Sequence, residues 1–145
     1  MCYDFVDFWG GGDDQIATLK GESAMLDHVG LEVSDIKKSK AFYLKALKPL
    51  GYEVFWEDEK LVGLGVKGIP DLWLKEGKRV KPPIHIAFCA ENRALVDKFY
   101  KSALSAGGID NGAPGIREDY HSDYYGAFVL DPDGYNIEAV CQKPE

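Results

Sequence analysis

The sequence has little of what marks secreted or membrane proteins. Its three cysteines, Cys2, Cys89 and Cys141, are an odd number without a CxxC spacing. This argues against a disulfide scaffold or a zinc knuckle and favours a reducing compartment. No run approaches the roughly 18 apolar residues of a membrane span, and the N-terminus lacks the basic and apolar stretches of a signal peptide. We therefore expect a cytoplasmic protein.

Positive charge is also scarce. The chain has 17 Lys and Arg against 24 Asp and Glu, for a net charge of −7. Such a surface repels nucleic acid and anionic membranes, so neither is an expected partner. A length of 145 residues with 46% hydrophobic content suits one domain with its own core.

Residues 1–24 differ from the rest of the chain. They contain an aromatic cluster, "YDFVDFW", and a glycine triplet, without useful periodicity. We interpret them as an N-terminal extension or expression-derived leader, with the regular pattern beginning at Met25. The alternative is that the aromatic cluster anchors on the domain or on a partner. The single domain then covers residues 25–142.

That domain contains two copies of one unit. Six identical pairs share a spacing of 57 residues (85 minus 28, and so on): His28 and His85, Phe42 and Phe99, Tyr43 and Tyr100, Ala46 and Ala103, Leu47 and Leu104, Gly51 and Gly108. Identities at one ungapped spacing indicate a tandem repeat. We name residues 25–80 module one and residues 82–142 module two.

Each module begins with a strand and a helix. In module one, "MLDHVGLEV" alternates as a strand does, Ser34 is a plausible N-cap, and Gly51 ends the helix. Three strands follow, "YEVFWEDE", "KLVGLGV" and "PDLWLKEG". In module two, Asn92 is the expected cap, and "YGAFVLDPDGYNIEAV" is a hairpin around "DPDG". We expect the polar stretch 109–126 to be a long loop, where substrate contacts gather.

Three residues are candidate metal ligands. His28 and His85 alternate with the apolar residues of their strands and so face away from the helices. Glu138 is an acid inside an apolar strand, which is costly unless it is paired or bound to a metal. Two His and one Glu suit Fe, Mn or similar ions. Alternatively, the histidines hydrogen-bond within a cavity, and Glu138 pairs with an Arg or Lys.

The chain resembles the glyoxalase, bleomycin resistance and extradiol dioxygenase group, the vicinal oxygen chelate superfamily. The resemblance rests on "LDHVGLEVSD", "AFYLKAL", "HIAF", "DPDGYNIEAV" and the tandem repeat, over about residues 25 to 142. It implies an α+β fold of two βαβββ modules that form an open, eight-stranded, barrel-like sheet. It also implies a homodimer and a divalent metal (Fe, Mn, Ni or Zn) on His28, His85 and Glu138.

One position departs from the family. The fourth ligand of glyoxalase I is an acid or Gln in the last strand of module one, where Trp73 stands here. Asp71 and Lys75 share the face of Trp73, and Glu76 does not. The resemblance implies that the acid at this place shuttles the proton, so this departure argues against true glyoxalase I chemistry.

The polar stretch before the last hairpin holds further candidates. Tyr125 and His121 are candidate general acids or bases beside Glu138, and Arg117 could clamp a carboxylate. Tyr120, Tyr124 and, on module one, Trp73 are candidate substrate contacts. The alternative is that these aromatic residues only pack over the open end of the cavity.

We expect a metal-dependent enzyme of the lyase or isomerase type, similar to lactoylglutathione lyase, acting on a small substrate chelated through vicinal oxygens. An extradiol-type dioxygenase is the alternative among enzymes. A metal-free protein that sequesters a ligand, as bleomycin resistance proteins do, is the alternative outside them.

Overall fold

The computed structural model describes residues 26–144, so the interpretation of residues 1–24 concerns a segment outside it. The elements of module one are β1 (Val29–Val33), α1 (Ile36–Leu47), a 3-10 turn (Lys48–Leu50), β2 (Glu53–Glu57), β3 (Leu61–Val66) and β4 (Ile69–Glu76). The elements of module two are β5 (His85–Cys89), α2 (Arg93–Ser105), β6 (Ile109–Ile116), β7 (Tyr125–Leu130) and β8 (Asn136–Cys141). Within residues 26–144, no helix is long and apolar enough to cross a membrane.

The two modules have the same topology. Their four-stranded sheets run β1-β4-β3-β2 and β5-β8-β7-β6, and in each the first strand is parallel to the last. This confirms the two βαβββ modules, and the sheets stay open rather than closing into a barrel. The register makes two positions equivalent. Gly30 lies beside Trp73, and Ala87, 57 residues after Gly30 (87 minus 30), lies beside Glu138.

The helix caps follow local side-chain chemistry. Asn92 caps α2, as predicted, by accepting the N–H of Leu95. The prediction of Ser34 as the cap of α1 was wrong, because Asp35 accepts the N–H of Lys38 there. Ser34 instead donates its hydroxyl to Asp133 of module two at 2.5 Å. A tertiary contact therefore took the hydroxyl that the local pattern assigned to the helix.

The stretch expected to be one long loop is partly a strand. Ile109–Ile116 forms β6 on β7, and the remaining loop spans 117–124. Its pairing shifts register on both sides of Gly112, which has a φ of +151°. Glycine, proline and asparagine weaken the alternation that identifies strands, which is why the sequence pattern did not indicate this one.

The "DPDGY" turn of module two joins the two modules. The Tyr43 hydroxyl donates to Asp131 at 2.7 Å, and the Tyr135 hydroxyl donates to the backbone oxygen of Glu32 at 2.8 Å. Burial raises the pKa of Tyr43 well above its ordinary value. α1 and α2 pack against each other and against the sheets, and the core lies on that side. The opposite faces of both sheets are therefore open.

Candidate functional site

The open face of module two holds a cavity of about 360 Å³, which we call the histidine–glutamate cavity. It is lined by His85, Tyr120, Tyr124, Phe128, Asn136 and Glu138. β5, β7 and β8 place His85, Phe128, Asn136 and Glu138 together because alternate residues of adjacent strands share a face. The loop 117–124 adds Tyr120 and Tyr124. The intervening residues Ala127, Val129, Ile137 and Ala139 point into the core. The alternation predicted for His85 and Glu138 is thus what brings them to one face.

Glu138 is the centre of this cavity. Its side chain is only 1% exposed, and Oε2 lies 2.9 Å from His85 Nε2. Its other oxygen, Oε1, accepts the hydroxyl of Tyr124 at 2.6 Å. Burial, followed by the bond to Glu138, raises the pKa of the Tyr124 phenol, so Tyr124 stays a proton donor at neutral pH. The buried acid is therefore paired, with an imidazole and a phenol rather than with an Arg or Lys.

A glycine leaves room for this carboxylate. A Cβ atom at Gly126 would lie 2.9 Å from Glu138 Oε1 and 3.2 Å from the Tyr124 ring. Real Cβ atoms essentially never show a contact as short as the first of these, so any larger residue would displace the carboxylate. Gly126 thus sets the depth at which Glu138 sits.

The sequence reasoning missed two amides in this cavity. Asn136 donates through Nδ2 to His85 Nδ1 at 2.7 Å. Asn111 on β6 donates in turn to Asn136 Oδ1 at 3.0 Å. Asn136 lies two residues before Glu138, so strand alternation already placed it on the same face. Asn111 carried no such signal, because its strand was expected to be loop.

The open face of module one holds a separate cavity of about 320 Å³, which we call the tryptophan cavity. It is lined by His28, Gly30, Leu31, Glu32, Leu61, Trp73 and Lys75. His28 Nδ1 lies 2.8 Å from Asp27 Oδ1. The Trp73 indole lies over Gly63, where a Cβ would be 2.8 Å from the ring. The two histidines of the repeat were expected to converge, but within one chain they occupy different cavities.

The other predicted site residues divide into two groups. Arg117 lies over the Phe128 ring at 5.4 Å, and Tyr120 contacts Tyr124 edge to face at 5.1 Å. Tyr120 therefore lines the histidine–glutamate cavity, and Arg117 contacts Phe128 of its wall. Their role as substrate contacts stays a prediction.

Tyr125 and His121 are not brought to Glu138. The Tyr125 hydroxyl donates to Asp97 of α2 at 2.8 Å, and Arg93 lies over its ring. Tyr125 thus faces the helix, because it is one residue out of phase with Gly126 and Phe128. His121 is exposed in the loop, where its Nδ1 accepts the N–H of Asp123. Strand phase decides the placement of Tyr125 and the loop decides that of His121, and neither ring lines the cavity.

The donor atoms fit part of a metal site. His85 Nε2 and Glu138 Oε2 are imidazole and carboxylate donors of the kind that Mn, Fe and Zn accept. Their separation of 2.9 Å lets both bind one ion. Between Leu26 and Pro144, no group of three or more His, Cys, Asp or Glu side chains comes together. This face therefore carries two of the candidate ligands, and His28 lies on the open face of module one.

The paired modules and their His–Glu cavity define a class of protein, and the comparisons name it. The model of the Glyoxalase/Bleomycin resistance protein/Dioxygenase superfamily matches residues 25–139. The chain belongs to this superfamily. None of the curated proteins that were compared with it matches.

Solved structures show the same fold. A glyoxalase/bleomycin resistance protein from Albidiferax ferrireducens is 25% identical, with a TM-score of 0.67, over 81% of this chain and 98% of that chain. A glyoxalase-type protein from Bacillus halodurans is 26% identical, with a TM-score of 0.61, over 81% and 96%. The fosfomycin resistance protein FosX from Listeria monocytogenes, solved with Mn(II) and dihydroxypropylphosphonic acid, is 20% identical, with a TM-score of 0.63, over 81% and 90%. At 20% identity, the likeness to FosX shows a shared fold and nothing more.

Proposed function

We propose that the chain is a divalent-metal-dependent enzyme of the lyase or isomerase type, acting on a small substrate with vicinal oxygens. The observation that supports this most is Glu138. Its carboxylate is 1% exposed, and it faces an imidazole nitrogen at 2.9 Å. A buried acid is retained at such a place when it binds something or is paired. His85 is both its partner and the candidate second ligand.

We further propose that the site is completed by a second copy of the chain. The two ligands of module two leave a third position to be filled, and His28 stands on an open sheet face of module one. A homodimer that pairs module one of one copy with module two of the other would bring His28 to His85 and Glu138. Isologous dimers form two such sites at once.

The chain's own residues have distinct roles in this proposal. A divalent ion at these ligands would supply Lewis acidity toward a substrate oxygen. Arg117 would bind an anionic group of the substrate, and Phe128 and Tyr120 would wall its apolar part. Tyr124 holds Glu138 in place through Oε1. Tyr125 and His121 receive no chemical role, because neither lines the cavity.

Trp73 bears on the reaction type. It occupies the position equivalent to Glu138 in module one, and an indole can neither ligate a metal nor accept a proton there. This supports a three-ligand site rather than a lactoylglutathione lyase-like one, and it keeps an extradiol-type dioxygenase as the alternative enzyme. The free thiols of Cys89 and Cys141 support the proposed cytoplasmic location.

A subunit-mixing experiment tests the shared site. His28→Ala and Glu138→Gln variants, each alone, should bind Mn(II) at least about 100-fold more weakly than the wild type. A heterodimer of the two variants has one intact site, because the Glu138 of one chain meets the His28 of the other. We expect close to one tightly bound Mn(II) per mixed dimer, measured by elemental analysis after desalting. His121→Ala is the control histidine and should bind as the wild type does.

The outcomes separate the ideas. No rescue in a verified mixed dimer would overturn the shared site. Wild-type protein that binds none of Mn, Fe, Ni or Zn at micromolar concentration would overturn the metalloenzyme.

A metal-free ligand-binding protein is the second candidate function. The observation in its favour is the aromatic lining of both cavities, by Trp73 in one and by Tyr120, Tyr124 and Phe128 in the other. Flat apolar ligands pack well on such walls. Retained binding of an aromatic ligand by Glu138→Gln, detected through quenching of tryptophan fluorescence, would favour sequestration over catalysis.

A further inference from the structure

The hydrogen bonds around His85 all run in one direction. Asn111 donates to Asn136, and Asn136 donates to His85 Nδ1. An amide nitrogen can only donate, so Nδ1 must be an acceptor. The remaining ring nitrogen, Nε2, then carries the proton, and it lies 2.9 Å from Glu138 Oε2. The arrangement is self-consistent for a neutral imidazole with its hydrogen on Nε2.

This arrangement is the opposite of what a metal requires. Nε2 faces Glu138, so a metal held by this pair would need the lone pair of Nε2. The ring proton must then sit on Nδ1, which would confront the amide hydrogens of Asn136. The clash is relieved if both amides turn by half a turn, so that Asn136 Oδ1 accepts from His85 Nδ1 and Asn136 Nδ2 donates to Asn111 Oδ1. The proton count of the ring is unchanged, since one proton leaves Nε2 to solvent and one arrives at Nδ1.

We propose that Asn136 and Asn111 form an amide relay that sets the tautomer of His85 and thereby its readiness to bind a metal. This inference rests on the proposed function for its metal, but its hydrogen-bond direction can be tested without one. Both asparagines are positioning residues, because they reach the site only through His85. Partners that orient a metal-binding histidine typically change metal affinity by about 10- to 100-fold when they are removed.

Asn111 offers the sharpest test because it reaches the histidine only through its hydrogen bond to Asn136. An Asn111→Asp carboxylate can only accept, so it should turn Asn136 to donate toward it and to present Oδ1 to His85. We expect this variant to carry the His85 proton on Nδ1 even without metal, and to bind Mn(II) about tenfold more tightly. Asn136→Leu, which keeps the size but removes both hydrogen bonds, should bind about tenfold more weakly.

Two controls separate the relay from simple charge. In the double variant Asn111→Asp/Asn136→Leu, the gain from the new carboxylate should vanish, so its affinity should match Asn136→Leu within about twofold. Asn92→Asp adds the same charge at the cap of α2, where either residue serves, and should leave both tautomer and affinity unchanged.

The readouts are long-range ¹H–¹⁵N NMR of the histidine rings at pH 8, without metal, and Mn(II) titration of the full chain. Wild-type His85 with its proton on Nδ1, or a gain that persists in the double variant, would overturn the relay. The expected tautomers in a protein that binds no metal would uphold the relay and overturn the proposed function instead. Zn(II), which is diamagnetic, should move the wild-type proton to Nδ1 if both are correct.

Discussion

The two modules share one fold but carry opposite chemistry on their open faces. Trp73 in module one and Glu138 in module two occupy equivalent places beside the first strand. The first histidine of the repeat is 53% exposed and paired with Asp27, while the second faces a buried carboxylate. The repeat has thus kept a histidine in both copies and an acid in one. A duplicated scaffold needs only one complete ligand pair when two copies of the chain can share their faces.

The turns that precede the last strand of each module also differ. In module one, Lys67 and Gly68, with φ of 53° and 82°, make a short exposed turn between β3 and β4. The corresponding turn of module two, around Asp131 and Asp133, is buried and bonds to module one. Module two therefore provides both the candidate acid and the joint between modules.

The largest expected effect is on Mn(II) affinity, and it comes from removing the acid that distinguishes module two from module one. Glu138→Gln keeps the shape but removes the charge that attracts a cation, so we expect at least a 100-fold loss of Mn(II) affinity, about 2.7 kcal/mol. Trp73→Phe at the equivalent place should change the affinity by less than about threefold, because the indole supplies no ligand. Titration calorimetry on both variants measures this, and equal losses would contradict the assignment.

The next largest effect is on stability, and it concerns the joint between the modules, the buried turn around Asp131 and Asp133. Asp131→Ala leaves the Tyr43 hydroxyl and two buried N–H groups, of Asp133 and Tyr135, without their acceptor. We expect a loss of about 3 kcal/mol in the free energy of unfolding, measured by urea denaturation. Lys67→Asn in the exposed turn of module one should stay within about 0.5 kcal/mol. A small change at Asp131 would mean that the core alone holds the modules together.

A glycine pair makes a smaller comparison. Gly126→Ala would bring its Cβ to 2.9 Å from Glu138 Oε1, whereas a Cβ at Gly30 meets nothing within 4 Å. We expect Gly126→Ala to lower stability by about 1 kcal/mol and Gly30→Ala to be neutral. Thermal unfolding of the two variants distinguishes them, and identical behaviour would show that the carboxylate shifts freely.

The smallest expected effect is a pH dependence of the joint. Burial raises the pKa of Asp131 above its ordinary 3.8, so the native state holds this proton more tightly than the unfolded chain does. The contribution of Asp131 to stability is therefore complete below pH 3.8 and is lost as pH rises through the raised pKa. The difference in unfolding free energy between wild type and Asp131→Asn should fall over that window. A difference that grows with pH would reverse the sign of the shift.

Much of the fold was predictable because periodicity is local. The tandem repeat, the strand and helix that begin each module and the cap at Asn92 were all predicted correctly, since each depends on a local residue pattern. β6 was missed, because Gly112, Pro114 and Gly115 hide a bulged strand whose pairing comes from β7. Ser34 was misassigned because its hydroxyl partner lies 99 residues away.

The candidate site was predictable only as far as strand alternation reaches. Alternation identified His85 and Glu138 as sharing a face, and could have added Asn136. It could not decide the phase of Tyr125, which the strand turns toward Asp97 of the helix, nor that Tyr124 holds the carboxylate. Those contacts depend on how β7 enters its sheet from the loop.

By itself, the sequence determined two copies of a strand–helix–sheet unit, with an imidazole in each and an acid in the last strand, because apolar alternation and capping are encoded residue by residue. Only the tertiary structure decided that the helices pack together and leave the two sheet faces apart. Within one chain, His28 and His85 consequently line two separate cavities. The tertiary structure also buries Glu138 between the Tyr124 hydroxyl and the His85 imidazole, which makes its carboxylate the focus of the site.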